Sequence, residues 1–377
     1  MMHSRYFKPA LLLLALLSMA CRFNVREIGF AELSPDPYVL YYFYNQKTAG
    51  QTVSTFEKQA KQLFNYSNIK VKAIDVDMES ADRAIQYLSN QKTFPQAVLL
   101  APDGRIRQVE LAEGAETALK SLIISPLREE ILANIVQKYG IVLLLEGTDA
   151  VQNKQAEQAI ERQLEEIKQV MVRMPKVVKE GPVLLIVKQD DLVKESTLLW
   201  SLGIDPGKTY TDPQAVILYG RARKMGEVLK AKEIQSDVVY KLLSLIGADC
   251  ECGLDRKWMM GPRIPLEWTP ATQTRLSTLL NFDVDNPMVM AEMSQILSIE
   301  AKKNGRSDGL GLFEPKEISL SDQSLSEAIP EVHFDESDTD NDDELGVETS
   351  MLSNVFYALG VLAVIVIGGG IWVMMKK

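Results

Sequence analysis

The chain is poor in the residues that most often carry acid–base and nucleophilic chemistry. Its 377 residues include two histidines, His3 and His333, and three cysteines, Cys21, Cys250 and Cys252. Histidine is the side chain whose unperturbed pKa lies nearest neutrality, and with these two far apart and near the extremities no Ser/His/Asp set can be assembled. No glycine-rich phosphate loop follows a strand pattern. No cluster of Lys and Arg supplies the electrostatic footprint of a nucleic-acid binder, so nucleic acid is not an expected partner. The net charge of −10 is local: Glu331, Asp335, Glu336, Asp338, Asp340, Asp342, Asp343, Glu344 and Glu348 contribute nine negatives with no Lys or Arg among them. The rest of the chain is close to neutral. These absences point away from an enzyme.

What is present begins with the two ends. Arg5 and Lys8 flank the start of PALLLLALLSMAC, an apolar run of about a dozen residues that is shorter than the ~20 a span requires and has the form of a secretory signal. The expected signal peptide is 1–20. The ending Leu17-Ser18-Met19-Ala20-Cys21 resembles the lipobox of bacterial lipoproteins, with the leucine four rather than three residues before the cysteine. The resemblance implies lipidation at Cys21, and the departure leaves an ordinary signal peptide as the alternative. At the other end, Phe356 to Met375 carries no charge, and ~20 residues rising ~1.5 Å each match a ~30 Å hydrocarbon core. A transmembrane helix is expected over 354–375, with Phe356, Tyr357 and Trp372 as interfacial anchors. Lys376-Lys377 then lie in the cytoplasm by the positive-inside rule, leaving the bulk of this single-pass protein extracytoplasmic, or periplasmic in a Gram-negative cell. The bilayer is thus an expected partner. Gly360, Ala363 and Gly368-Gly369-Gly370 are small residues that let another helix approach closely, so an integral membrane protein is a second.

The segment 304–350 combines KNGRSDGLGLF with the acidic run, has few large apolar residues and repels itself, and it reads as a disordered acidic linker. Asp338, Asp340 and Asp342 alternate as calcium-loop ligands do. Asp343, however, stands where such a loop needs its glycine, and Thr349 where it needs a bidentate Glu, which argues against Ca2+.

Between the ends the chain repeats itself. FPQAVLLAPDGRIRQVEL (Phe94 to Leu111) and DPQAVILYGRARKMGEVL (Asp212 to Leu229) share Pro-Gln-Ala-Val, two aliphatics, a turn and Arg-x-Arg. The first copy is preceded by the unbroken apolar run YVLYYFYN, which reads as a buried strand. A helix over about 52–64, a strand IKVKAIDVD and a helix through ADRAIQYLSN follow. The second copy is preceded by GIVLLLEG and a long helix with Asp149 as N-cap and Ala156, Ile160, Leu164, Ile167 and Met171 on one face. A strand GPVLLIVKQ and a helix LVKESTLLWSLG come next. Each copy is expected to close with a helix, the first begun by Ser125 and Pro126, the second ended by Gly247.

Strand, helix, strand, helix, proline-led hairpin, helix is the order of the thioredoxin fold, and TFPQAVLLAPDGR resembles the segment of that family in which a cis-proline faces the active site. The resemblance covers about 26–247 as two copies. It implies an α/β protein with two tandem thioredoxin-like domains, 26–138 and 139–249. Pro95 and Pro213 should be equivalent, at least one cis, and both are candidate partner-binding positions. It also implies Cys-x-x-Cys between the first strand and its helix, where the helix N-terminus lowers a thiol pKa. Those positions read NQKTAGQT (45–52) and EGTDAVQN (146–153), without a cysteine. The resemblance then implies a binding scaffold.

A Cys/Trp loop and helical extension, 250–303, follows. Cys250 and Cys252 come after the last helix of the second copy, at the end where the helix dipole disfavours a thiolate, and Asp249 and Glu251 add negative charge. Structural or incidental thiols are the first reading, a metal site the second and a redox pair the third. Two thiolates with Met259 and Met260, and more distantly Met288, Met290 and Met293, would suit Cu(I). The last three lie in an amphipathic helical pattern where methionine commonly packs, so no cofactor is the expectation. Trp258 and Trp268 either cover the second domain or face a partner. The function expected is a non-catalytic, membrane-anchored extracytoplasmic interaction module, an accessory subunit of a transporter-like membrane complex. The alternative is a thiol-redox or copper-handling envelope protein using Cys250 and Cys252.

Overall fold

Each repeat contributes one mixed four-stranded sheet. A computed structural model describes residues 22–33, 37–48, 50–79, 82–89, 93–112, 114–174, 176–248 and 261–303. The first elements are a short helix Val25–Phe30 (α1), closed by an Asn24/Glu27 capping box, and then strand Tyr38–Tyr44 (β1). Helix Gln51–Leu63 (α2), strands Ile69–Asp75 (β2), Gln96–Leu100 (β3) and Ile106–Val109 (β4), and helix Ala115–Ser121 (α3) complete the first repeat. Helix Pro126–Ile135 (α4) leads into strand Ile141–Leu145 (β5), the long helix Ala150–Met171 (α5) and strand Val183–Val187 (β6). Helix Ser196–Ser201 (α6), strands Gln214–Tyr219 (β7) and Arg223–Lys230 (β8), and helices Ala231–Gln235 (α7) and Val238–Ile246 (α8) follow. Helices Pro270–Leu280 (α9) and Pro287–Lys303 (α10) form the extension.

The sheet orders are β2-β1-β3-β4 and β6-β5-β7-β8. In each, the first strand runs parallel to the second and antiparallel to the third. Register makes the duplication concrete: Gln96, after Pro95, pairs with Phe43, and Gln214, after Pro213, pairs with Leu145 at the corresponding end of the second sheet. This mixed α/β architecture with two sheets is consistent with tandem thioredoxin-like domains. The Phe94–Pro95 peptide is cis, the only cis bond among the described residues.

The caps read from the sequence form. Asp149 accepts from the N–H groups of Val151 and Gln152, and Ala156, Ile160, Leu164, Ile167 and Met171 of α5 are buried. Ser125 accepts from the N–H of Arg128 with Pro126 in the first turn. Strand β5 is buried at all five positions because helices cover both faces of its sheet.

Three expectations differ from the structure. The segment through ADRAIQYLSN forms only a 3-10 turn, Arg83–Tyr87, opened by Asp82 accepting from Ala84 N–H; it covers a small cluster around Phe43, Ile74 and Val98, too little apolar surface to require a full helix. In LVKESTLLWSLG only Ser196–Ser201 is α-helical. Helix α4, expected to close the first repeat, packs in the second: Leu127, Ile131 and Ile135 share a core with Ile141, Leu143 and Leu218. Helix α1 does the same through Val25 and Ile28, which lie among Val142, Leu144, Ile217 and Tyr219. Its approach needs glycine at both contacts, since a Cβ on Gly220 would lie 2.2 Å from the Gly29 backbone. The first core, around Leu40, Tyr42, Phe56 and Leu99, is closed by Leu119 and Leu122. Among the described residues no helix is long and apolar enough to cross a membrane, and the span expected at 354–375 lies outside them.

Candidate functional site

The segments that follow β1 and β5, residues 45–52 and 146–153, contain no cysteine; their polar side chains are amides, hydroxyls, the carboxylates of Glu146 and Asp149, and Lys47. After β1, Asn45 Oδ1 accepts from Thr48 N–H at 3.2 Å and from Thr48 Oγ1–H at 3.0 Å, folding the loop on itself. After β5, Asn153 clamps Gly147 by two bonds of 2.8 Å. Thr148 and Asp149 donate their N–H groups to the carbonyls of Tyr210 and Thr211 at 2.9 and 3.0 Å. A Cβ on Gly147 would sit 2.2 Å from the Thr211 oxygen. This second loop is zipped to its neighbour and has no room for a side chain at that position.

The expected site residues do not form one site. Pro95 and Pro213 open the hairpins of separate sheets. Trp268 is half-buried, with its ring 6.2 Å from Phe30 and its Nε1–H donating to Gln273 Oε1 at 2.8 Å. Met293 is fully buried in the second core while Met288 is 82% exposed on the same helix, so these methionines face different surroundings. Cys21, Cys250, Cys252, Trp258, Met259, Met260, Gly360, Ala363, Gly368, Gly369 and Gly370 lie outside the described residues, as does the aspartate series at 338–342.

The repeated Arg-x-Arg, legible as a duplication signal, serves as a clasp in both copies. In the first, Arg105 donates to the carbonyls of Trp200 and Ser201, and Arg107 to Ser196 Oγ at 2.9 Å, tying the β3–β4 hairpin to α6 of the second repeat. In the second, Arg223 donates to the carbonyls of Gly29, Ala31 and Gly261. Arg221 donates to Glu32, Gln273 and Asp285.

One of these contacts, Arg223 to Gly261 O, reaches a strap, 261–268, that joins the repeats. Lys224 N–H donates to Pro262 O and Ile264 N–H to Ala222 O, extending the β8 edge. A few residues later Trp268 N–H donates to Tyr66 O at 2.6 Å, beside a bridge between Ser67 and Glu267. Asn68 holds Ile264 O and Leu266 N–H, the Tyr38 hydroxyl donates to Arg263 O at 2.9 Å, and Arg128 Nε donates to Pro265 O at 3.0 Å. Arg128 is 1% exposed, and burial pushes its pKa down to about 10.

Beside the strap lies a cleft of about 380 Å³ lined by residues of both repeats and the extension, among them Glu32, Tyr66, Arg221, Arg263, Trp268 and Asp285. Glu32 bridges two arginines, Arg263 NH2 at 2.8 Å and Arg221 NH1 at 3.2 Å, and Arg221 reaches Asp285 at 2.5 Å. Both arginines are more than nine-tenths buried. Burial alone would push the Glu32 carboxyl up; Arg263 and Arg221 more than offset it and hold its pKa below the ordinary value. The Arg221 guanidinium lies 5.2 Å from the centre of the Trp268 ring. No local sequence pattern marks this cleft, because its lining residues are scattered from Glu32 to Asp285.

Thioredoxin-domain proteins are among the solved structures similar to this chain. The first two thioredoxin domains of Naumovozyma dairenensis Eps1p share 12% identity with a TM-score of 0.20, covering 54% of this chain and 91% of that one. The same domains of Saccharomyces cerevisiae Eps1p share 11% identity at a TM-score of 0.22, covering 59% and 96%. Human ERp44 in a zinc-bound form shares 15% identity at 0.21, covering 60% and 61%. At these scores the assignment rests on the strand order and register of the two sheets. No family model and no curated protein matches the sequence.

Proposed function

We propose that this chain is a non-catalytic, membrane-anchored extracytoplasmic interaction module, an accessory subunit of a membrane complex of transporter type. The observation that carries the reading is the state of the two loops after β1 and β5. Neither contains a thiol, and the second is zipped to residues 210–211 with no space at Gly147. A fold whose reactive positions are given over to loop hydrogen bonds, and whose repeats are clasped by a strap, is suited to presenting surface. The signal-like 1–20 and the apolar 354–375 support placement of that surface outside the cytoplasm, tethered by one helix. The acidic segment 304–350 serves as the spacer. In this reading Cys250 and Cys252 are structural thiols and Cys21 is a lipid attachment point.

The test is an insulin-reduction assay on the full-length chain together with copurification from native membranes, each repeated with Cys250→Ser plus Cys252→Ser. The expected result is no turnover in either form and recovery of one stoichiometric integral membrane partner by both. Disulfide-reductase turnover that disappears in the double variant would overturn the reading in favour of thiol chemistry.

A further inference from the structure

We propose that the turn after α5, residues 172–179, rests on the surface of an anionic lipid bilayer and fixes the second repeat against the membrane. The inference rests on the membrane-anchored reading above and names the face that the anchoring turns to the lipid. Its starting point is the place where the chain enters the body. Arg22 is the first described residue. Its carbonyl accepts from Lys176 Nζ, which also pairs with Glu27 and lies 5.5 Å from the centre of the Phe23 ring. The Arg22 guanidinium meets Glu292 of α10 at 2.5 Å. Residues 1–21 therefore join the body beside Lys176 and Val177, against the helix that precedes the acidic segment. A lipid on Cys21, one residue before Arg22, would draw this face onto the bilayer.

The surface at that place has the two components that hold a protein on anionic lipid. The segment 168–179, KQVMVRMPKVVK, carries Lys168, Arg173, Lys176 and Lys179 and no carboxylate. Val172 is 69% exposed and Val177 64%. Valines exposed singly are ordinary; these two are set among cations at the mouth of a membrane-directed segment, and the boundary between headgroups and acyl chains receives such side chains. The surrounding carboxylates are already engaged: Glu165 with Lys168, Glu166 with Arg162 and Glu180 with Lys138, besides the Glu27 and Glu292 pairs. Arg173 and Lys179 are exposed and pair with no carboxylate among the described residues. They are the cations left for lipid phosphates.

A bilayer fits this surface better than a protein does. A stable protein interface buries about 800 Å² on each partner, more than two valine tips and their flanking cations provide. A fluid interface needs no matching groove, and an anionic one attracts Lys and Arg within a Debye length of it.

The experiment is hydrogen–deuterium exchange, read by mass spectrometry, on the full-length chain in nanodiscs of phosphatidylcholine alone or mixed with phosphatidylglycerol. Amides of 172–179 should exchange about fivefold or more slowly in the anionic discs, with the difference shrinking in high salt. Strand β5, buried in the core, should exchange identically in both. Arg173→Gln with Lys179→Gln should remove the difference, and Val172→Ser with Val177→Ser should reduce it. All four side chains are exposed, so the thermal midpoint should hold in both variants. Equal exchange of 172–179 in the two lipids, or a difference that survives Arg173→Gln with Lys179→Gln, overturns the proposal. Protection present in both lipids and lost when the acidic residues of 331–348 are neutralised assigns the face to that segment and overturns it as well. Alkaline carbonate extraction tests the anchor separately. A chain that stays inserted while 172–179 shows no lipid dependence refutes the face alone. A chain released by carbonate refutes the anchor, and the exchange difference, read on the released chain mixed with vesicles of the same lipids, still decides the face.

Discussion

Trp200, on a helix of the second repeat, is buried in the core of the first, with its ring 6.1 Å from that of Tyr38. The Arg105 guanidinium lies 5.5 Å from the centre of the same tryptophan ring and donates to the Trp200 carbonyl. The repeats therefore share a core residue, and the described residues fall within one compact unit.

Trp200→Ala removes that shared residue. Large-to-small changes of a buried aromatic cost about 3–5 kcal/mol, and here the loss falls on the first core and on the contact between repeats. Urea denaturation followed by circular dichroism should show the first repeat unfolding ahead of the second. A single transition at the wild-type midpoint would contradict the shared core.

Gly147→Ala tests the zipped loop. The added Cβ would meet the Thr211 oxygen at 2.2 Å, so a backbone segment must move, and overpacking of this kind costs about 1–3 kcal/mol. The equivalent loop of the first repeat should respond differently, because Gln46 and Lys47 already carry exposed side chains there. Lys47→Ala is expected to leave the thermal midpoint unchanged.

The Glu32 bridge makes part of the stability depend on acid. The folded pKa is below the unfolded one, which is about 4.3 for a Glu. The contribution is therefore fully present above that unfolded value and is lost as pH falls through the folded pKa. Glu32→Gln should lower the denaturation midpoint at neutral pH, with the gap from wild type closing in acid. A gap of constant size across that range would remove Glu32 from the acid limb.

For the proposed membrane helix, Gly368→Leu with Gly369→Leu should reduce copurification of an integral membrane partner while insertion and topology stay unchanged. The expectation follows from close packing of small residues in lipid, and equal recovery from both forms would reduce the helix to an anchor.

The sequence by itself determined the strands, the long helix with its Asp149 cap, and the duplication. Unbroken aliphatic runs, helical periodicity and capping chemistry act over a few neighbouring residues, and the copied Pro-Gln-Ala-Val fixed the register of Gln96 and Gln214. It did not determine which sheet each amphipathic helix would cover. Pro126–Ile135 lies between two sheets in the chain, and its apolar face reads the same whichever one it joins; only packing placed it in the second core. The same holds for Val25–Phe30, which precedes the first sheet yet docks on the second through Gly29 and Gly220. Arg221 and Arg223 were visible as a repeated pair, but their partners Glu32, Gly29 and Asp285 come from distant segments. The cleft they form was decided by tertiary structure alone, because ion pairs and hydrogen bonds depend on distances in space that no spacing along the chain encodes.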